Sequence, residues 1–233
     1  MWSLHRKLAA LCILSAALAW TQVSHADPLM ATGFTVGSQP VTLTSPGFVL
    51  GPTVPAGAFN LNPPAGVIAY CIDIFQTLSF GALYNDYTAT SLAADVGLTA
   101  ARKAEIAQLY HGFYDASLTS ATNSAAFQLA LWEIAFESAV NPLNADGASL
   151  DKGSTYATGP DVPGTVIAIA NSWLGGLGGF STDLNGFTTY RSGEHQDLIG
   201  YHHVPEPATL VMLAVGLGML GLATRRRLKG LGA

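Results

Sequence analysis

The spacing of apolar residues changes from a strand-like period near the start of the chain to a helical period further on. The segments "GFTVG" (33–37) and "VTLTSPGFVLG" (41–51) alternate or nearly alternate and contain turn-forming residues, which predicts short strands. The β-branched and aromatic segment "GVIAYCIDIF" (66–75) is the clearest strand candidate. The segment "LYNDYTATSL" (83–92) fits either a strand or an irregular loop.

Three later segments have apolar residues three or four apart, as on one face of a helix. The first, 98–117, has Thr99 as its predicted N-cap, and the second, 125–140, stops at Asn141-Pro142. The third covers 163–174, and the closing segment 187–202 predicts one strand and a tail. Strands followed by helices and a last strand indicate an α+β domain, with short strands and a helical subdomain.

Both ends of the chain have the pattern of targeting signals. Residues 1–26 combine a basic start, an apolar stretch and "SHA", which predicts a signal peptide cut by signal peptidase after Ala26. Near the end, residues 208–223 are uncharged and form a helix of about 24 Å, marginal for a membrane span. The basic residues that follow favour the cytoplasmic side, so the preceding domain, 27–203, is expected to be extracytoplasmic.

The final segment, 204–233, has three features in a specific order. Pro205-Glu206-Pro207 precedes the apolar helix, and the basic cluster Arg225, Arg226 and Arg227 follows it. This arrangement resembles the PEP-CTERM sorting signal of Gram-negative bacteria. The resemblance implies processing by an exosortase, a transient stay in the inner membrane, and final location on the outer surface or in an exopolysaccharide matrix. The alternative is a permanent membrane anchor.

The charge of the middle segment limits its partners. Residues 27–203 contain four Lys or Arg and fourteen Asp or Glu, so their net charge is near −10. Such a surface repels phosphate backbones, and we expect no nucleic-acid partner. No spacing typical of a metal site or phosphate-binding loop is present, and we expect no cofactor.

Cys71 is the single cysteine that remains if the signal peptide, which contains Cys12, is removed. Exported proteins usually pair their cysteines, but Cys71 has no partner within the mature chain. It is therefore a small buried side chain, half of an intermolecular disulfide, or a reactive group. Gln128 is the second unusual residue, because burying an amide in the apolar segment "FQLALW" (127–132) is costly unless the amide forms hydrogen bonds.

These two segments together resemble the Cys-Gln thioester domains of bacterial surface adhesins. The matching residues are Tyr70-Cys71-Ile72 and the segment 127–132 that contains Gln128. The resemblance implies a thioester between Cys71 and Gln128 that an amine or hydroxyl of a surface or matrix partner attacks. The protein would then attach once and covalently, for adhesion, rather than turn over as an enzyme.

The thioester hypothesis assigns roles to several neighbouring residues. Asp73 or His111 would assist proton transfer, and a shield against water would be formed by Tyr70, Phe75, Phe127 and Trp132. The bond would also close a loop of 56 intervening residues. By analogy with a disulfide, this would stabilise the fold by about 4 kcal/mol, so a purely structural cross-link is a further possibility.

Two other functions fit the sequence. In the first, Cys71 is the nucleophile of a hydrolase or acyltransferase, with His111 as base and Gln128 as an oxyanion donor. In the second, the domain binds matrix polysaccharide without a covalent bond, through exposed aromatic residues such as Tyr84, Tyr87 and Trp173. Loss of activity on replacing Cys71 separates both covalent mechanisms from non-covalent binding.

Overall fold

The computed structural model describes residues 26–41, 43–45, 48–49, 53–136, 156–157 and 164–202. The targeting signals at both ends, including Pro205-Glu206-Pro207 and the basic cluster, lie outside these residues. Within the described parts, no helix is long and apolar enough to cross a membrane.

The fold combines strands and helices, as the change of period predicts. Twelve strands are described: β1 (Asp27–Leu29), β2 (Ala31–Phe34), β3 (Gln39–Val41), β4 (Leu43–Ser45), β5 (Phe48–Val49), β6 (Val54–Ala56), β7 (Phe59–Leu61), β8 (Val67–Cys71), β9 (Tyr84–Ser91), β10 (Tyr156–Ala157), β11 (Phe187–Arg191) and β12 (Leu198–Tyr201). The helices are α1 (Ala100–Ser117), α2 (Ala121–Phe136) and α3 (Gly164–Gly175), with a short 3-10 helix at Leu177–Gly179.

Seven strands form the main sheet, in the order β1-β9-β11-β12-β8-β7-β2, and every pairing in it is antiparallel. β1 and β2 lie at opposite edges of this sheet, yet Met30 is the single residue between them. One short segment therefore pairs with β9 through its first half and with β7 through its second. This connection curves the sheet into a nearly closed barrel.

Helix α2 is buried against this sheet and between the other two helices. Every residue from Ser124 to Ala135 is buried, as expected for a helix that is apolar on all sides. It begins earlier than predicted, at Ala121, because the Ser120 hydroxyl accepts a hydrogen bond from the Asn123 N–H at 3.1 Å. Its predicted end at residue 140 lies outside the described residues.

The remaining predictions have mixed outcomes. Thr99 caps α1 as expected, accepting a hydrogen bond from the Arg102 N–H at 3.3 Å, and α3 lies within one residue of its predicted bounds. The ambiguous segment 83–92 forms strand β9. The prediction of one strand and a tail at the end was wrong, because β11 and β12 form an antiparallel hairpin. The turn between them, rich in polar residues, concealed the second strand.

Candidate functional site

Cys71 is the last residue of β8, and at this position the strand is paired with a neighbouring strand on one side only. On the side of β7, the pairing ends at Phe59 opposite Ala69. On the other side, β12 continues, and the Ile72 N–H donates to the Asp197 carbonyl at 2.9 Å. The main-chain groups of Cys71 face the vacated side and need other partners, because buried peptide groups are costly to leave unpaired.

The side chain of Gln128 supplies both partners. The Cys71 N–H donates to Gln128 Oε1 at 2.9 Å, and Gln128 Nε2 donates to the Cys71 carbonyl at 2.7 Å. The amide thereby occupies the hydrogen-bonding positions that β7 would fill if its pairing with β8 continued to Cys71. Ser124, one turn earlier on α2, plays a similar part by accepting the Ala58 N–H at 2.8 Å. These contacts explain why an amide is tolerated in an apolar helix.

Cys71 and Gln128 are therefore neighbours, and both are almost completely buried. Cys71 is a free cysteine. Burial raises the pKa of its thiol well above the ordinary value, and the nearby charge of Asp73 raises it further. The thiol is consequently protonated at neutral pH, so any nucleophilic chemistry requires a group that takes up its proton.

A pocket of about 160 Å³ opens beside the pair. Its lining comes from five regions of the chain: the β2 end, the β6–β7 segment, the end of β8 with the loop that follows it, α2, and the β11–β12 turn. The lining residues are Phe34, Val54, Pro55, Phe59, Cys71, Ile74, Gln76, Thr77, Leu78, Phe80, Gln128, Trp132 and Gln196. The pair is thus buried, but it borders a space that a small group can occupy.

Trp132, one of the residues predicted to shield the bond, lies one turn beyond Gln128 on α2 and lines the pocket. Its side chain is 4% exposed, and its indole Nε1 has no hydrogen-bond partner among the described residues. Buried indole N–H groups usually have an acceptor. The Nε1 atom is itself buried, so another part of the Trp132 side chain lines the pocket.

Asp73 follows Cys71 closely and is half-buried. Its carboxylate accepts the Phe75 N–H at 2.8 Å. Burial raises the pKa of the carboxyl group, and the nearby Asp197 contributes in the same direction. An aspartate with a raised pKa is a stronger base than an exposed one, which suits the predicted role in proton transfer.

His111 lies elsewhere. Its Nε2 is 2.9 Å from the Asp183 carbonyl, its Nδ1 is 3.4 Å from the Tyr201 hydroxyl, and its ring contacts Phe187 and Tyr201. It does not line the pocket. The structure thus brings Asp73, but not His111, to the neighbourhood of Cys71.

The other predicted shielding residues lie away from the pocket. Tyr70 and Phe127 pack together in the core with ring centroids 4.6 Å apart, and the Tyr70 hydroxyl donates to Ser117 Oγ at 2.8 Å. Phe75 is 54% exposed and contacts Phe136 instead. The strand alternation used to place it stops at Cys71, so that Ile74 lines the pocket in its place.

The aromatic residues suggested for non-covalent binding do not form an exposed platform. Tyr87 is fully buried and donates its hydroxyl proton to the Gln196 carbonyl at 2.8 Å. Tyr84 packs on His195, and Trp173 stacks on Phe113. All three serve mainly to pack the fold.

Sequence reasoning missed most of the pocket wall. Phe34, Phe59 and Phe80 come from three separate segments, and Gln76 and Gln196 come from loops. The register of β8 and β12, with Cys71 opposite Leu198, brings Gln196 close, and no local pattern encodes that register. Within the described residues, no cluster of His, Cys, Asp and Glu is arranged to hold a metal ion.

Comparison with protein families finds a PEP-CTERM protein-sorting motif at residues 203–227, which contain both the Pro-Glu-Pro sequence and the arginine cluster. The motif implies an exported protein that an exosortase sorts at the membrane. No curated protein and no solved structure matches the chain. The motif is outside the described residues, so the sorting assignment and the Cys71–Gln128 site are independent observations.

Proposed function

We propose that this exported protein attaches covalently to a surface or matrix partner through a thioester between Cys71 and Gln128. The observation that carries the proposal is the pair of hydrogen bonds between the Gln128 amide and the Cys71 main chain, at 2.9 and 2.7 Å. They fix the amide beside the residue whose thiol must attack it. Such positioning can lower a barrier by about 7–11 kcal/mol.

The two hydrogen bonds also suit the chemistry of thioester formation. As Cys71 Sγ attacks Gln128 Cδ, negative charge develops on Oε1, which already accepts the Cys71 N–H. The Cδ–Nε2 bond then breaks, and Nε2, which donates to the Cys71 carbonyl, leaves as ammonia. The thiol proton ends on the departing nitrogen, so the products are a thioester and one ammonia molecule.

Asp73 is our candidate for moving that proton. It lies two residues from Cys71, and its charge contributes, after burial, to the raised pKa of the thiol. It takes the proton from Cys71 and passes it to the leaving nitrogen, and it ends the step ionised as it began. Replacing Asp73 with Asn keeps the shape and removes the base.

The second step is attack on the thioester by an external amine or hydroxyl. It joins the partner to the Gln128 acyl group and regenerates the Cys71 thiol. The Cys71 N–H remains placed to stabilise the oxyanion, because Oε1 is the oxygen of the thioester carbonyl. Trp132, Phe59 and the other apolar pocket residues limit competing attack by water.

The geometry favours this function over a cysteine hydrolase. The base that the hydrolase hypothesis assigns, His111, contacts Asp183 and Tyr201 and not Cys71. The amide nitrogen proposed as an oxyanion donor already donates one hydrogen bond to the Cys71 carbonyl. Cys71 is also the last residue of a strand rather than the first residue of a helix, where its pKa would be lowered.

The test is the intact mass of the full chain in detergent, with and without methylamine, beside the variants Cys71→Ala and Asp73→Asn. We expect the wild type to be one ammonia lighter than its sequence requires, and to gain one methylamine at Gln128. Cys71→Ala is expected to show neither change, and Asp73→Asn to form the thioester more slowly. A wild-type chain of full mass with a free thiol would refute the proposal.

A low mass without methylamine capture would instead indicate a cross-link whose role is structural. That outcome would keep the bond and reject covalent attachment. Reaction with hydroxylamine after unfolding would confirm it, because unfolding exposes a bond that the folded chain shields. Peptide mapping of the Gln128 hydroxamate would identify its position.

A further inference from the structure

The chain segment that follows Cys71 and carries Asp73 runs beside the turn between β11 and β12. The pairing of β12 with β8 places Leu198 opposite Cys71, and the same antiparallel register places Gln196 opposite Asp73. The main-chain hydrogen bond between the two intervening residues, at 2.9 Å, shows that this register continues past the end of β8. The turn is therefore the part of the fold that decides where Asp73 lies.

The side chain of Gln196 makes the contact with Asp73. Its Nε2 donates to the Asp73 main-chain carbonyl at 2.9 Å, and its own main-chain carbonyl accepts the hydroxyl proton of Tyr87 at 2.8 Å. Tyr87 is fully buried, so this second bond ties Gln196 to the core of the domain. Gln196 also lines the pocket together with Cys71 and Gln128. The amide thus connects Asp73 to the core at the wall of the pocket.

The position of the Asp73 carboxylate depends on two successive hydrogen bonds. The carboxylate accepts the Phe75 N–H, two residues further along, at 2.8 Å, which orients the side chain relative to its own main chain. The bond from Gln196 then holds that main chain beside β12. Because β12 is paired with β8 as far as Cys71, the two bonds together place the carboxylate relative to the thiol.

The other contacts between this segment and the turn do not act on the Asp73 peptide. The Ile72 N–H donates to the Asp197 carbonyl, and Gln76 Nε2 donates to the Gly193 carbonyl at 3.0 Å. Both contacts remain when the Gln196 amide is removed. The Asp73 carbonyl is then free to turn towards water, since its contact with Gln196 is only part-buried. Removing the amide is therefore expected to displace Asp73 while the segment stays attached.

We propose that Gln196 is a positioning residue for formation of the thioester, because its amide holds the Asp73 peptide so that the carboxylate reaches the thiol of Cys71. This inference rests on the proposed Cys71–Gln128 thioester and adds a residue to its machinery. Gln196 exchanges no proton itself: the thiol proton passes to Asp73 and from there to the departing ammonia. Two glutamines then hold the main chain at the end of β8, Gln128 at Cys71 and Gln196 at Asp73.

The test measures the rate at which the thioester forms. Treating the full chain in detergent with ammonia opens the bond, because ammonia adds to the acyl group and restores the Gln128 amide and the Cys71 thiol. If the folded chain does not admit ammonia, the treatment is made in urea and the chain is refolded. After the ammonia is removed, formation of the bond is followed as the loss of one ammonia from the intact mass.

The rate is compared in wild type, Gln196→Met, Asp73→Asn and the variant that carries both substitutions. Methionine keeps the length of the side chain and removes the donor, and we expect Gln196→Met to slow bond formation about ten-fold. In the Asp73→Asn background, we expect the same substitution to slow it less than about two-fold, because no base remains to be positioned. Incubation is extended until the slow variants have formed the bond.

This comparison separates positioning from stability. A residue that only stabilises the fold would slow bond formation by the same factor in both backgrounds, whereas a positioning residue acts through Asp73 alone. The matched control is Gln108→Met, because the Gln108 amide also donates to a main-chain carbonyl, that of Phe180 at 3.5 Å, but does not line the pocket. We expect it to form the bond at the wild-type rate. Urea unfolding checks that each variant is folded.

Three results would overturn the inference, and each has a different meaning. If the wild type has its full mass, no thioester forms, and the proposed function fails together with this inference. If the wild type forms the bond but Asp73→Asn forms it equally fast, the thioester stands and there is no base for Gln196 to position. If Asp73→Asn is slow but Gln196→Met has no effect, or the same effect in both backgrounds, the base stands and Gln196 does not position it.

Discussion

Two polar clusters connect distant segments of this fold, and they differ in almost every respect. The first is neutral: the Gln128 amide joins α2 to the end of β8 through Cys71. The second is ionic: Arg191, at the end of β11, binds Asp95 at 2.9 Å and Asp197 at 2.7 Å. Both tie together parts of the chain that no local pattern connects.

The two clusters differ in how completely their surroundings account for the polar groups they contain. In the ionic cluster, Asp95 also accepts the Gly97 N–H, and Asp197 also accepts the Ser192 N–H, so the hydrogen-bonding groups are occupied. The neutral cluster, by contrast, contains a buried free thiol and borders a pocket of about 160 Å³. A fully satisfied cluster is explained by stability alone, whereas a thiol and a positioned amide beside a pocket are the features on which the proposed chemistry rests.

The largest effect is expected from removing the amide of the neutral cluster. Gln128→Ala leaves two buried main-chain groups of Cys71 without partners, each at a cost of about 1–3 kcal/mol. We expect complete loss of methylamine capture and a decrease of about 2–6 kcal/mol in the free energy of unfolding. Mass spectrometry and urea unfolding, followed by tryptophan fluorescence, measure the two effects.

Two controls separate the contributions. Cys71→Ala also prevents the thioester but keeps the main-chain hydrogen bonds at position 71. The difference in unfolding free energy between Cys71→Ala and Gln128→Ala therefore measures the contribution of those bonds. Gln108→Ala removes an amide on α1 that makes one long contact, 3.5 Å to the Phe180 carbonyl, and should retain capture. Equal stability of Cys71→Ala and Gln128→Ala would mean that the hydrogen bonds add little.

The same comparison shows how far sequence reasoning reaches. An amide in the apolar segment 127–132 and an unpaired cysteine are each locally anomalous, but the pairing of Cys71 with Gln128 was predicted through the resemblance to Cys-Gln thioester domains. The helices were accessible from their spacing and from the Thr99 cap. The barrel closure by β1 and β2 was not, because it depends on pairings with β9 and β7 far along the chain.

The pocket and the ionic cluster were missed for one physical reason. Phe34, Phe59 and Phe80 look like ordinary core residues in their own segments, and Arg191 looks like an ordinary strand end. Their roles arise when the sheet register places them together, as β11 and β9 do for Arg191 opposite Thr88. The assignment of Phe75 to the shield failed similarly, because the strand ended four residues before it.

The second prediction breaks the ionic cluster. Arg191→Ala leaves Asp95, whose side chain is 1% exposed, without its cation. Breaking a buried pair costs about 3–5 kcal/mol, and we expect the lower value because Arg191 is 28% exposed. Methylamine capture by the folded variant should persist, since Arg191 does not contact Cys71 or Gln128 through any described hydrogen bond. Loss of methylamine capture in an Arg191→Ala variant that remains folded would show that the two clusters are coupled.

The smallest expected effect concerns the pH dependence of the ionic cluster. Burial by itself raises the pKa of the Asp95 carboxyl, but hydrogen bonds from Arg191 outweigh it, so its pKa lies below the ordinary value. As the pH falls, the unfolded chain is therefore protonated first, near the usual value of about 3.9. The stability that ionised Asp95 contributes is complete above that pH and is lost as the pH falls through the lower pKa of the folded state. We expect the difference in unfolding free energy between wild type and Asp95→Asn to be constant from about pH 7 to pH 5 and to shrink below about pH 4. The control is Asp115→Asn, because Asp115 is exposed. A difference in unfolding free energy between wild type and Asp95→Asn that stays constant down to about pH 3 would contradict the assignment. Methylamine capture measured in the same series tests whether the neutral cluster is independent of the charge of Asp95.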